Sequence, residues 1–191
     1  MTTPSDPVPD KTILLIGLMG AGKSAIGRRL ARALDRPFVD SDKEVEAAAG
    51  CSIAEIFERY GEAAFRDCEL RVMARLLNGP PCVLATGGGA FLDPQTRALV
   101  RERAVSVWLR ADLDLLVERV SRRSNRPLLE GGDKRAILER LMAERAPVYA
   151  QADITVESLD GPHEATLERL MTALNTHGRA RESQASAARG G

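Results

Sequence analysis

The sequence predicts an α/β fold of three layers, a central parallel sheet of five strands flanked by helices. Three observations predict it. Short apolar runs alternate with helical-period segments along most of the chain, the pattern of strands joined by crossover helices. The first run, Thr-Ile-Leu-Leu-Ile at 12–16, passes directly into Gly-Leu-Met-Gly-Ala-Gly-Lys-Ser at 17–24. A helical segment follows at once. Strand, glycine loop and helix in that order are the phosphate-binding loop (P-loop) arrangement of NTPase folds, whose ligands sit beyond the carboxyl ends of the strands.

Each element has its own reason. After strand 12–16, a helix over 23–34 sets Ile26, Leu30, Ala33 and Leu34 on one face. Pro-Phe-Val-Asp at 37–40 reads as the second strand. Gly50 and Gly61 divide the stretch after it into helices 41–49, 52–59 and 62–77, and Ser52 with Glu55 fits a capping box. Strand 81–85 precedes Thr86-Gly87-Gly88-Gly89. A helix over 95–102 leads into strand 104–109. Asp112 is placed to cap a helix over 112–122. Residues 123–134, rich in charge with Pro127 and Gly131-Gly132, form a loop able to act as a mobile lid. Helix 133–145, strand 153–156 and helix 163–175 complete the series. Residues 1–10 read as a loose arm, 11–175 as the domain and 176–191 as a disordered tail.

Composition limits the partners. The chain carries 27 basic and 27 acidic residues, so no global field draws nucleic acid or an anionic membrane. Cys51, Cys68 and Cys82 are an odd number without CxxC spacing, and only His163 and His177 accompany them. That excludes a zinc framework and fits reduced thiols in a cytoplasm. Neither a signal peptide nor a membrane span is legible.

The chemistry of residues 17–24 is specific. Gly20, Ala21, Gly22, Lys23, Ser24 and Ala25 would present backbone N–H groups to ATP phosphates at a helix N-terminus. Lys23 would reach the β- and γ-phosphates, and the Ser24 hydroxyl would ligate Mg²⁺. Asp40 and Asp42, two apart at a strand end, would face the ligand crevice together. Strand 81–85 ends without an aspartate, so Asp40 is the second metal-side carboxylate, acting through water. The alternative makes both residues caps of the next helix. Gly87-Gly88-Gly89 calls for close backbone approach to a ligand, or else a plain turn. Arg66 and Arg145, taken alone, are two helical arginines among many.

The ordered set of 17–24, Asp-Ser-Asp at 40–42 with Glu46, Phe65-Arg66 with Glu69, Gly87-Gly88-Gly89, Arg126-Pro-Leu-Leu and Arg145-x-Pro-x-Tyr resembles the shikimate kinase family. The family belongs to the nucleoside-monophosphate-kinase-like branch of P-loop proteins. The resemblance covers nearly all of residues 11–175. It implies transfer of phosphoryl from ATP to the 3-hydroxyl of shikimate, with one Mg²⁺ per subunit, by a cytoplasmic monomer on the route to chorismate. It implies that Asp42 orients the attacked hydroxyl or takes its proton, and that Arg66 and Arg145 clamp the substrate carboxylate. Gly87, Gly88 and Gly89 would meet the ring, and Arg126 on the lid would bind ATP phosphates. Two positions depart: Ala25 stands where the family often has threonine, and residues 157–161 offer no arginine beside the adenine. A related gluconate or nucleotide kinase would lack the joint pattern. A non-catalytic module would show a damaged Lys23, Asp42 or Arg126, and all three are intact.

Overall fold

The computed structural model describes residues 10–122 and 133–189. Its sheet has five parallel strands: β1 (Thr12–Ile16), β2 (Phe38–Asp40), β3 (Val83–Ala85), β4 (Ala104–Arg110) and β5 (Ile154–Glu157). The order is β2-β3-β1-β4-β5, so β1 lies between β3 and β4 at the point where the connection changes direction. Every residue of β1 is buried, as a central strand covered on both faces requires. Ile13 sits opposite Val83 on one side and Val105 on the other.

Seven helices flank the sheet among the described residues: α1 (Lys23–Ala33), α2 (Ser41–Ala49), α3 (Ile53–Leu77), α4 (Pro94–Arg103), α5 (Leu113–Ser121), α6 (Lys134–Tyr149) and α7 (His163–Arg189). α1 buries Ile26, Gly27, Leu30 and Ala31. The inward face is therefore rotated from the expected one, and Ala33 points outward. Gly27 explains the rotation: a Cβ there would come within 2.6 Å of the Phe38 ring, so β2 packs where a side chain would stand.

The capping box forms as expected. Ser52 Oγ accepts from Glu55 N at 3.2 Å, and Glu55 Oε2 accepts from Ser52 N at 2.9 Å. Asp112 occupies the N-cap position of α5, but its side chain makes no capping bond.

Gly61 divides the stretch as expected: inside α3 it is non-helical, at φ 79°, ψ 176°, and separates two helical segments. A left-handed φ of this kind is strained for other residues, which is why the break sits there. Two other helix limits differ from expectation. α6 continues past 145 to Tyr149 with Pro147 inside. Pro147 removes one backbone donor, but buried Tyr149, 1% exposed, anchors the final turn. α7 runs to Arg189 where a disordered tail was expected from 176. The segment is rich in alanine and arginine, strong helix formers, and the Thr176 and Ser183 hydroxyls bond back to Thr172 and Arg179 carbonyls. Most of the arm 1–10 and of the lid 123–134, Arg126 included, lies outside the described residues. Among the described residues no helix is long and apolar enough to cross a membrane.

Candidate active site

The loop between β1 and α1 owes its path to glycine. Gly17, Gly20 and Gly22 have φ of 143°, 84° and 97°, a region only glycine enters readily. No side chain caps α1, and its first turn holds no acidic residue. The helix start is thus open to an anion. Lys23 Nζ donates to the Gly17 and Leu18 carbonyls at 2.7 and 3.0 Å, folded over the loop from which it would reach a polyphosphate. Ala21 is 1% exposed and its N–H donates to Leu18 O; of the expected ATP contacts within 20–25, it alone is absent from the cavity wall.

Asp40 caps α2, as the alternative reading has it, and also faces Ser24. Its Oδ1 accepts from Asp42 N at 3.2 Å, capping α2, while its Oδ2 accepts from Ser24 Oγ at 3.2 Å. Asp42 is not carried on the strand, since β2 ends at Asp40. The first turn of α2 brings it to the same cavity instead. A hydroxyl and a carboxylate one hydrogen bond apart are hard oxygen donors suited to Mg²⁺. Among the described residues no cluster of three or more His, Cys, Asp or Glu stands ready to hold a metal. A cation here would thus depend on phosphate and water for its remaining ligands.

Two arginines line the same cavity. Arg66 Nη1 donates to Glu69 Oε2 at 2.7 Å and Nη2 to Glu62 Oε1 at 3.2 Å. Arg145 lies beside Gly88, and the Tyr149 hydroxyl donates to the Gly88 carbonyl. One cavity of about 510 Å³ takes in Lys23, Ser24, Asp40, Asp42, Arg66 and Arg145 together with Gly87, Gly88 and Gly89. That volume is ordinary for a small-molecule cleft.

Some of the lining was not legible in the sequence. Arg119, from α5, donates to Gly20 O at 3.3 Å, Ser158 Oγ at 2.9 Å and Leu159 O at 2.6 Å. It ties the phosphate loop to the segment after β5, and nothing in its spacing separates it from neighbouring arginines. Phe57 and Glu118 also line the cavity.

Glu69 is 4% exposed. Burial pushes its carboxyl above the ordinary 4.5; the Arg66 guanidinium opposes the shift, and the charges of Asp42 and Asp93 add to it. Arg66 also shifts upward. Burial works against its charge, but the pairing with Glu69 and Glu62 outweighs it. Pairing alone would lower the acid and raise the base. Both rise because Glu69 is the more enclosed partner, its side chain 6% exposed against 40% for Arg66. The folded chain therefore holds this proton more tightly than the unfolded one. Between 4.5 and the raised value, Glu69 alone makes stability fall as pH rises. Urea unfolding of wild type and Glu69→Gln across that interval checks this. The difference in stability should move against wild type with rising pH, and a flat difference would contradict the assignment.

Comparison with known proteins shows the family. The shikimate kinase family model matches residues 19–175. Curated shikimate kinases from Paramagnetospirillum magneticum and Caulobacter vibrioides are 60% and 59% identical, over 87% and 88% of this chain and 86% and 84% of theirs. The structure of shikimate kinase from Acinetobacter baumannii in complex with shikimate superposes with a TM-score of 0.80. It is 37% identical, and the match covers 86% of this chain and 92% of that one. A gluconokinase from Sinorhizobium meliloti, 17% identical with a TM-score of 0.64 over 92% of this chain and 97% of its own, shares the fold. With a family-model match over most of its length and relatives this similar, the chain belongs to the shikimate kinase family.

Proposed function

We propose that this protein transfers the γ-phosphoryl group of ATP to the 3-hydroxyl of shikimate, giving ADP and 3-phosphoshikimate. One observation carries the reading: a single cavity holds a polyphosphate cradle at Lys23 and Ser24, two guanidinium groups at Arg66 and Arg145, and the carboxylate of Asp42.

Arg66 and Arg145 bind the acceptor's carboxylate, for which a planar guanidinium fork is suited. Asp42 accepts a hydrogen bond from the 3-hydroxyl and takes its proton as the oxygen attacks the γ-phosphorus. The bond to the β-phosphate oxygen breaks, and ADP leaves with that electron pair. Lys23 and the loop N–H groups offset the charge that spreads over the transferring group. The Ser24 hydroxyl, and Asp40 through water, would hold Mg²⁺, which would neutralise phosphate charge when bound. Arg126, outside the described residues, takes the lid role on the family pattern. The extension to a cytoplasmic monomer rests on family resemblance alone.

A coupled ADP-release assay with shikimate, quinate, gluconate and nucleoside monophosphates tests the acceptor. Shikimate should be used by a wide margin over the rest; equal or better use of gluconate would overturn the reading. Replacing Arg66 by lysine keeps the charge but loses the fork. Arg66→Lys should raise the KM for shikimate about tenfold, the size of one lost charged hydrogen bond, and leave the KM for ATP unchanged. A shift confined to ATP would place Arg66 on the wrong substrate.

A further inference from the structure

Gly87, Gly88 and Gly89 have no backbone reason to be glycine. None of them has a positive φ, unlike Gly17, Gly20 and Gly22. Gly89 sits at φ −96°, ψ −25°, where any residue is comfortable. What each position lacks is room. A Cβ on Gly87 would lie 2.6 Å from Asp42 Oδ1, and one on Gly88 would lie 2.8 Å from Arg145 Nη1. On Gly89 it would lie 2.5 and 2.9 Å from the two terminal nitrogens of Arg66.

Three successive positions thus meet three different obstacles, and these are the groups assigned to the acceptor. Every other side chain or distant backbone atom near Gly87 and Gly88 stands at 3.5 Å or beyond. A methyl group there would press on the functional group and leave the core alone.

The loop itself is poorly placed to yield. Gly87 N donates to Ser41 Oγ at 3.3 Å, the Gly88 carbonyl accepts from the Tyr149 hydroxyl, and Gly89 O accepts from Leu92 N at 2.9 Å. Thr86 just before them is bonded through both its N–H and its hydroxyl to Leu15 O, each at 3.2 Å. With the floor tied on both sides, an added methyl displaces the mobile end of the facing side chain.

We infer that the glycine run is a row of seats: by lacking Cβ atoms, Gly87, Gly88 and Gly89 let Asp42, Arg145 and Arg66 lie directly on the loop backbone in acceptor-binding positions. Side chains from α2, α6 and α3 are thereby registered against one surface. The three glycines are positioning residues, and their contribution passes through the side chain each one seats. The inference rests on the acceptor-binding reading of Asp42, Arg66 and Arg145.

A double-mutant cycle on Gly89 and Arg66 tests it, with kinetics at saturating ATP and thermal unfolding of every variant. Gly89→Ala should raise the KM for shikimate about tenfold or more, since an ångström of misplacement suffices for losses of this size. Its KM for ATP should hold, and the melting temperature confirms that the variant is folded at the assay temperature. In the Arg66→Ala background, the same substitution should change kcat/KM for shikimate by no more than about twofold, because the seat is already empty. At Gly87 the loss should fall on kcat, following Asp42.

A harmless Gly89→Ala overturns the inference. So does a loss that persists undiminished without Arg66, which would mean that the acceptor meets Gly89 itself. Undiminished use of shikimate by Arg66→Ala would remove the underlying reading, and the seat with it. If Gly89→Ala does not fold, the cycle of Gly87→Ala with Asp42→Asn asks the same question. A crystal structure of either glycine variant with the facing side chain unmoved would also overturn it.

Discussion

Asp42→Asn is expected to lower kcat by about a hundredfold or more, the usual scale for a lost general base, while nucleotide binding survives. The substitution keeps shape and one hydrogen-bond acceptor but cannot take a proton. The fold should tolerate it, because the α2 cap is Asp40, which accepts from the backbone N–H of residue 42, a donor that asparagine retains. Steady-state turnover and titration of a fluorescent ATP analogue separate the two effects. Turnover within about threefold of wild type would mean that proton acceptance by Asp42 contributes little. Loss of nucleotide binding would instead tie Asp42 to the metal side of the cavity.

The second large effect belongs to Lys23. Lys23→Met preserves most of the stem and removes the ammonium. We expect kcat/KM for ATP to fall by about 10²–10³, comparable to removing a donor aimed at developing charge. Shikimate affinity measured without nucleotide should change little, since Arg66, Arg145 and Asp42 stand on other elements. Lys23 donates to the Gly17 and Leu18 carbonyls within its own loop, and thermal unfolding of the variant checks that it stays folded. Equal loss of shikimate and ATP binding would show that the lysine supports the cavity as a whole.

The phosphate half of the site was legible because its physics is local. Glycines, lysine and serine act within eight consecutive residues, flanked by an apolar strand and an amphipathic helix, so pattern and chemistry coincide. The sheet was legible for the same reason: a fully buried strand such as β1 announces itself as an unbroken apolar run.

The acceptor half depends on distant parts of the chain. Arg66 and Arg145 look alike among the other helical arginines, and only the family pattern singled them out. What makes Arg66 distinctive is enclosure with Glu69, which no local window displays. The glycine run was read as a place where backbone closely approaches a ligand. The groups that lie against it in the structure are the side chains of Asp42, Arg145 and Arg66. Arg119 was missed because its hydrogen bonds reach Gly20, Ser158 and Leu159, three partners far from it in sequence.

The misjudged helix ends have local explanations too. At α6, burial of Tyr149 carries the helix past 145 through Pro147. At α7, composition was weighed where propensity decided, and alanine and arginine carried the helix on to Arg189.

The cavity is proposed to join ATP to one particular hydroxyl of a cyclic acid, which phosphorus NMR of a reaction holding ATP, Mg²⁺, shikimate and purified protein can read out. ATP should be consumed only when shikimate is present, and the new phosphorus resonance should couple to the proton on the carbon bearing the 3-hydroxyl. Inorganic phosphate as the sole product, or coupling to a different ring proton, would contradict it.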